Sequence, residues 1–253
     1  MKIWLLFSIL FLSFEALSAS SDSFKDCGVS GSVTIYDQKN NKWIETDSGD
    51  AQIRSLPAST FKIFNSLIAL DQKATDLKEI FIWDKVVREI SQWNQNSTLK
   101  EAFENSTVWV YEVIAKRIKP KDYLRYLKWS NYGNHEISTG KDGNFWVYGK
   151  FGVSPKEQIE LLKALYSNEL PFSRESMDLV KSFMKDKKDN ATFGKTGWTS
   201  ENNKHLGWWV GWQMKDNSPI FFATRIWRDK NLPLGDFVAC RKSITAVSLS
   251  RLK

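Results

Sequence analysis

The sequence predicts an α+β fold, with a mostly antiparallel sheet formed by both ends of the chain, flanked by helices, and a helical lobe inserted between the strands. Segments rich in β-branched and aromatic residues lie towards the two ends, while the long middle carries apolar residues at helical spacing. The chain has 253 residues, 42% hydrophobic and 26% charged, which allows a sizeable core and excludes a disordered polymer.

Residues 29–36 alternate small or polar side chains with β-branched ones, as a strand does. Residues 37–41 are turn-rich and 42–46 return, completing a hairpin. After Pro57, the residues Phe61, Phe64 and Ile68 recur at helical spacing. Residues 102–118, 121–128, 156–166 and 173–184 also read as helices, with Pro155 placed as a first-turn proline. Residues 191–196 form a short strand candidate, and 206–214 and 220–227 form a second hairpin around the turn at 215–219. Residues 238–249 close the chain as a helix, and most of the twelve Trp are expected in the core and its walls. No repeat, low-complexity tract or linker divides residues 20–253, which are expected to form one domain.

The first nineteen residues read as a cleaved signal peptide: Lys2 is the positive start, residues 3–14 are nearly all apolar, and Ala16, Ser18 and Ala19 suit cleavage after Ser18 or Ala19. No later segment approaches ~18 uninterrupted apolar residues, so the mature form is expected in the periplasm or secreted, without a membrane span. Export permits a bond between Cys27 and Cys240, but sequence alone leaves their pairing open. The net charge is +7 and the pI near 9.2. Because Lys181, Lys185, Lys187 and Lys188 have acids among them, the charge describes a solvated surface, not a nucleic-acid face. A positive field still favours a small anionic substrate.

Four residues carry the first chemical signal: Ser59-Thr60-Phe61-Lys62, opening the helix after Pro57. Ser59 and Lys62 are about one turn apart and share a face. A serine hydroxyl needs a neighbouring base, and a lysine serves only if burial suppresses its charge. Phe61, Ile63 and Phe64 supply apolar neighbours for that burial. The second signal is Lys195-Thr196-Gly197 at a strand end, where a lysine and a hydroxyl can hold a substrate carboxylate and glycine admits close approach. Each is common by chance, but an S-x-x-K opening a helix with a K-T-G on a later strand is the pattern of serine penicillin-recognising enzymes.

Between them Ser106-Thr107-Val108 fills the place of that superfamily's second serine motif, with Val where others carry Asn. Together with Gln92-Trp93-Asn94, Tyr132-Gly133-Asn134, Phe145-Trp146 followed by Gly149 and Ser154-Pro155-Lys156, and Trp198 after Gly197, this resembles the class D (oxacillinase-type) serine β-lactamases over nearly the whole mature chain. The resemblance implies hydrolysis of β-lactam antibiotics through a serine acyl-enzyme. Ser59 would be the nucleophile and Lys62, N-carboxylated by CO2, the base for acylation and deacylation. Phe61, Val108 and Val147 would wall the lysine pocket, and the Trp146 indole would hydrogen-bond the carbamate. Ser106 and Lys195 would deliver a proton to the lactam nitrogen. The N–H groups of Ser59 and Trp198 would form the oxyanion hole, and Thr196 and Arg241 would bind the substrate carboxylate, with Arg225 or Arg228 as competitors for the last role. Tyr132 and Asn134 would hold the cleft wall.

No cofactor beyond CO2 or bicarbonate is implied, and His135 and His205 carry no metal motif. The only expected partner besides the β-lactam is a second copy, as monomer or homodimer. The alternatives are a β-lactam sensor that is acylated once and held, or a penicillin-binding transpeptidase or carboxypeptidase.

Overall fold

The computed structural model describes residues 23–138 and 143–252; the expected leader at 1–19 lies outside them. A five-stranded antiparallel sheet is made from strands β1 (Ser30–Asp37), β2 (Lys42–Glu45), β5 (Thr192–Glu201), β6 (Lys204–Lys215) and β7 (Ser218–Asp229), in the order β2-β1-β7-β6-β5. The first two strands come from one end of the chain and the last three from the other, as expected. The short pair β3 (Ile80–Phe81) and β4 (Ser97–Thr98) stands apart. Helices α1 (Lys62–Asp71), α2 (Leu99–Glu104), α3 (Val108–Arg117), α4 (Pro120–Trp129), α5 (Phe145–Tyr148), α6 (Pro155–Tyr166) and α7 (Arg174–Met184) lie between, and α8 (Phe237–Ser250) follows β7.

The sheet is buried on both faces, which explains why β6 and β7 read as nearly continuous apolar runs. Trp208, Val210, Trp212, Phe221 and Ala223 join the larger core with the helical lobe. Trp209, Ile220, Phe222 and Ile226 pack into a smaller core with Phe237, Cys240 and Ile244 of α8. Strand β5 is left at the sheet's edge. Capping follows the sequence: Ser154 and Glu157 form a capping box at α6, with Pro155 in the first turn.

Three expectations need correction. Residues 102–118 are two helices, because Ser106 adopts φ +56° and ends the run. Helix α1 begins at Lys62, and Ser59 lies in the preceding 3-10 turn, Ala58–Phe61. The strand expected at 191–196 extends to Glu201. Cys27 and Cys240, 213 residues apart, are joined by a disulfide that ties the segment before β1 to α8.

Candidate active site

In a 3-10 turn residues i and i+3 eclipse, so Ser59 and Lys62 face each other more directly than in an α-helix. Lys62 Nζ donates to Ser59 Oγ at 3.1 Å. The turn is held firmly. Ala58 sits at φ +51°, a left-handed conformation that a Cβ disfavours. The Trp208 indole donates to Leu56 O at 3.0 Å, and Leu56 N–H donates to Glu201 at 3.3 Å.

Lys62 is wholly buried, and burial pushes its amine down to about 7, the charge of Glu112 pulling the other way. Among the described residues its one hydrogen bond is to Ser59, and the Tyr111 ring lies 4.8 Å from Nζ. Phe61 is also fully buried, packed on Trp146 with ring centroids 5.4 Å apart. Trp146 is fully buried, and its Nε1–H has no hydrogen-bond partner among the described residues. Val147, on the same short helix α5, is buried, and its carbonyl accepts from Thr199 of β5 at 2.9 Å. Val108 opens α3, one turn before Tyr111.

The break between α2 and α3 is what presents Ser106. Asn105 N–H donates to Glu101 O at 2.8 Å and Thr107 N–H to Ala102 O at 2.9 Å, closing α2. The Trp93 indole donates to Asn105 O at 2.9 Å, so the Gln92-Trp93-Asn94 segment secures this corner. From it Ser106 Oγ accepts a short hydrogen bond from Lys195 Nζ of β5. Lys195 is buried and held well below its ordinary pKa, first by burial and then by the charges of Lys62, Arg241 and Lys242. Strand β5 runs hard against the serine turn: a Cβ on Gly197 would lie 2.8 Å from Pro57 O. A cavity of about 550 Å³ reaches Lys195 and Thr196 but is lined by none of Ser59, Lys62, Ser106, Trp198 and Arg241.

Arg241, on α8, is buried and donates from Nη1 to Gly197 O at 2.6 Å, beside the half-buried Thr196. Its Nε–H has no partner among the described residues, and burial lowers its pKa to about 10. The competing arginines bond to other segments, and Arg228, like Arg241, keeps an Nε–H without a partner among the described residues. Arg225 pairs with Asp50 and donates to Ile53 O at 2.7 Å, and Arg228 donates to Cys27 O at 3.1 Å. Trp198 is 41% exposed, its ring near His205 and Phe237. Tyr132 donates to Gln158 at 2.9 Å, and Asn134 donates to Lys150 O at 2.8 Å and accepts from Gly152 N–H at 3.0 Å, tying residues 132–134 to the segments at 150–158.

The structure therefore brings Ser59, Lys62, Phe61 and Trp146 together, and Ser106 with Lys195. Arg241 meets the Thr196-Gly197-Trp198 strand at Gly197 O. Sequence reasoning missed Tyr111, three residues after Val108 and so on its helical face, and Trp93's hold on the Ser106 corner. It also missed Glu112, the acidic charge nearest in effect to Lys62, which accepts from Asn144 at 2.7 Å just before α5.

The chain matches the family described as "Penicillin binding protein transpeptidase domain" over residues 30–236. It is 41% identical over 208 residues to β-lactamase OXA-20 of Pseudomonas aeruginosa, covering 80% of this chain and 76% of that protein. It is 37% identical over 238 residues to β-lactamase OXA-3 of the same organism, covering 87% and 85%. The crystal structure of a class D β-lactamase from Sebaldella termitidis superposes with a TM-score of 0.86 at 36% identity, covering 93% of this chain and 97% of that one.

Proposed function

The chain belongs to the class D serine β-lactamase family and is a β-lactam hydrolase, and from that premise we propose that Ser59 is its nucleophile and that Lys62, once it carries CO2, is its base. The observation that carries this reading is a fully buried amine, lowered to about 7, lying 3.1 Å from the serine oxygen.

A neutral amine can add to CO2: the nitrogen lone pair bonds to carbon as one C=O π pair moves onto oxygen, an N–H proton passes to solvent water, and an anionic carbamate results. The buried, unpartnered Trp146 N–H supports this, since it is a donor awaiting an acceptor, and an unpaired buried donor is costly. The carbamate supplies a general base for the serine proton and later for water.

The remaining residues act on the substrate. As Ser59 Oγ bonds to the lactam carbonyl carbon, its proton passes to the Lys62 side chain. The N–H groups of Ser59 and Trp198 receive the developing oxyanion, each such donor being worth ~3 kcal/mol. When the ring C–N bond breaks, Ser106 donates a proton to the leaving nitrogen and Lys195 replaces it through their hydrogen bond. Thr196 and Arg241 hold the substrate carboxylate, and the single bond from Arg241 to Gly197 O leaves the rest of its fork for that purpose. The leader read at residues 1–19 supports a periplasmic or secreted site of action.

Mass spectrometry of the protein mixed with a penicillin tests this reading. Hydrolysis with only a transient adduct, trapped on Ser59, is expected. An adduct persisting for hours would point to a sensor, and an adduct on another residue would remove Ser59 from the role.

Bicarbonate dependence is a second expected result. Below about pH 7 the Lys62 amine takes a proton and cannot add CO2, so activity should fall as pH drops through that value. Added bicarbonate should restore it and move the acid limb to lower pH. An acid limb insensitive to bicarbonate would leave an unmodified lysine as the base.

A further inference from the structure

We propose that Gln158, at the start of α6, is a positioning residue that holds the serine turn in its reactive shape through a buried relay to Thr60. The inference rests on the assignment of Ser59 as nucleophile.

The relay runs in one direction. Tyr132 Oη donates to Gln158 Oε1 at 2.9 Å, Gln158 Nε2 donates to Thr60 Oγ1 at 2.7 Å, and Thr60 Oγ1 donates to Pro57 O at 2.8 Å. Gln158 and Thr60 are fully buried and Tyr132 is nearly so. Burial holds the Tyr132 phenol well above its ordinary pKa, so it remains a donor. Each of these polar atoms thereby has a protein partner, as buried polar groups require.

The relay ends on both sides of the nucleophile. Thr60 follows Ser59, and Pro57 precedes the left-handed Ala58. A backbone in that region persists only where its surroundings over-determine it. Pro57 O is the point they share: it accepts from the Thr60 hydroxyl at 2.8 Å and from Thr60 N–H at 3.2 Å. The same oxygen lies where a Cβ on Gly197 would clash, so the turn is pinned between β5 and α6. The sheet anchors the turn through Leu56, and Gln158 anchors it from the helical side. Helix α6 is itself fixed there by its capping box and by the Arg54–Glu157 ion pair. None of the relay atoms reaches Ser59 Oγ, so Gln158 acts through the turn and not on the substrate.

The test is Gln158→Leu, which keeps the volume and removes both hydrogen bonds. The kcat for a penicillin, per titrated active site, is expected to fall 10–100-fold with KM within about threefold, because geometry at Ser59 shifts while Thr196 and Arg241 are untouched. Thr60→Val should fall by a similar factor and Thr60→Ser should stay within threefold. The double variant Gln158→Leu/Thr60→Val should lose no more than the larger single, since both cut one relay. A lowered melting temperature with unchanged kcat, or losses that multiply in the double variant, would overturn the proposal. If Gln158→Leu does not fold, the Thr60 pair decides, and a Thr60→Val enzyme with full kcat overturns it. Adduct mapping in Ser59→Ala keeps the two claims apart, since an adduct retained there defeats the nucleophile assignment whatever Gln158 does.

Discussion

Replacing Lys62 by alanine is expected to slow deacylation so far that a penicillin leaves a lasting acyl-enzyme on Ser59. A positioned general base is typically worth 10²–10⁴-fold in a step, and in the proposed mechanism one side chain serves both acylation and deacylation. No substitute is at hand: among the described residues, Ser59 Oγ has its hydrogen bond with Lys62. Lys195 is committed to Ser106 and to Thr196 O. Acylation should therefore slow by a factor of about 10²–10⁴ and hydrolysis of the adduct by at least as much. The fold should survive, because the amine's direct neighbours are the Ser59 hydroxyl and the Tyr111 ring, and Glu112, whose charge acts on it, keeps its hydrogen bond from Asn144. A thermal melt checks folding, and intact-protein mass spectrometry follows the adduct. A Lys62→Ala enzyme that turns over within tenfold of the parent would sink the assignment. Bicarbonate should not help this variant, although it restores the parent at acid pH, and that contrast separates loss of the amine from a general loss of activity.

What could be read beforehand and what could not divides along the range of the interactions concerned. Ser59 and Lys62 are three residues apart, so their meeting is decided by local turn geometry. The alternation in β1 and the apolar runs of β6 and β7 are equally local, and the sheet built from both chain ends followed from them. The division between α2 and α3 was not visible, because apolar side chains continue at helical spacing across it. Polar residues 105–107 hint at a stop, but the left-handed Ser106 corner is secured by Trp93, twelve residues earlier than the carbonyl it binds. The Cys27–Cys240 bond spans 213 residues and depends on how α8 packs, which no spacing encodes. Arg241 is named by resemblance alone; its rank over Arg225 comes from that residue's distant partner Asp50, and over Arg228 from its own bond to Gly197 O, 44 residues away and next to Thr196. Gln158 shows the same limit, since it stands 98 residues from the threonine it binds.

Lys195→Ala should produce the second large effect, and it follows from how two buried lysines share one site. Lys195 is pushed well below its ordinary pKa by burial and by the positive charges of Lys62, Arg241 and Lys242. A carbamate on Lys62 reverses the sign of one of those neighbours, so it favours protonation of Lys195, which then has a proton to pass through Ser106. On the proposed mechanism the carbamate and the Lys195 ammonium would each stabilise the charged form of the other. Removing Lys195 deprives Ser106 of its donor and the carbamate of a balancing cation. The acylation rate with a penicillin should fall by about 10²–10⁴-fold. The bicarbonate concentration needed for half-maximal carboxylation, read by 13C NMR with labelled bicarbonate, should rise. A control separates these causes: Ser106→Ala interrupts the proton path and leaves Lys195 in place, so it should slow acylation with little change in bicarbonate demand. If Lys195→Ala acylates at the parent rate, the proton path is wrong. If its bicarbonate demand is unchanged while acylation collapses, the two lysines are not electrostatically linked, and Lys195 serves the leaving nitrogen alone.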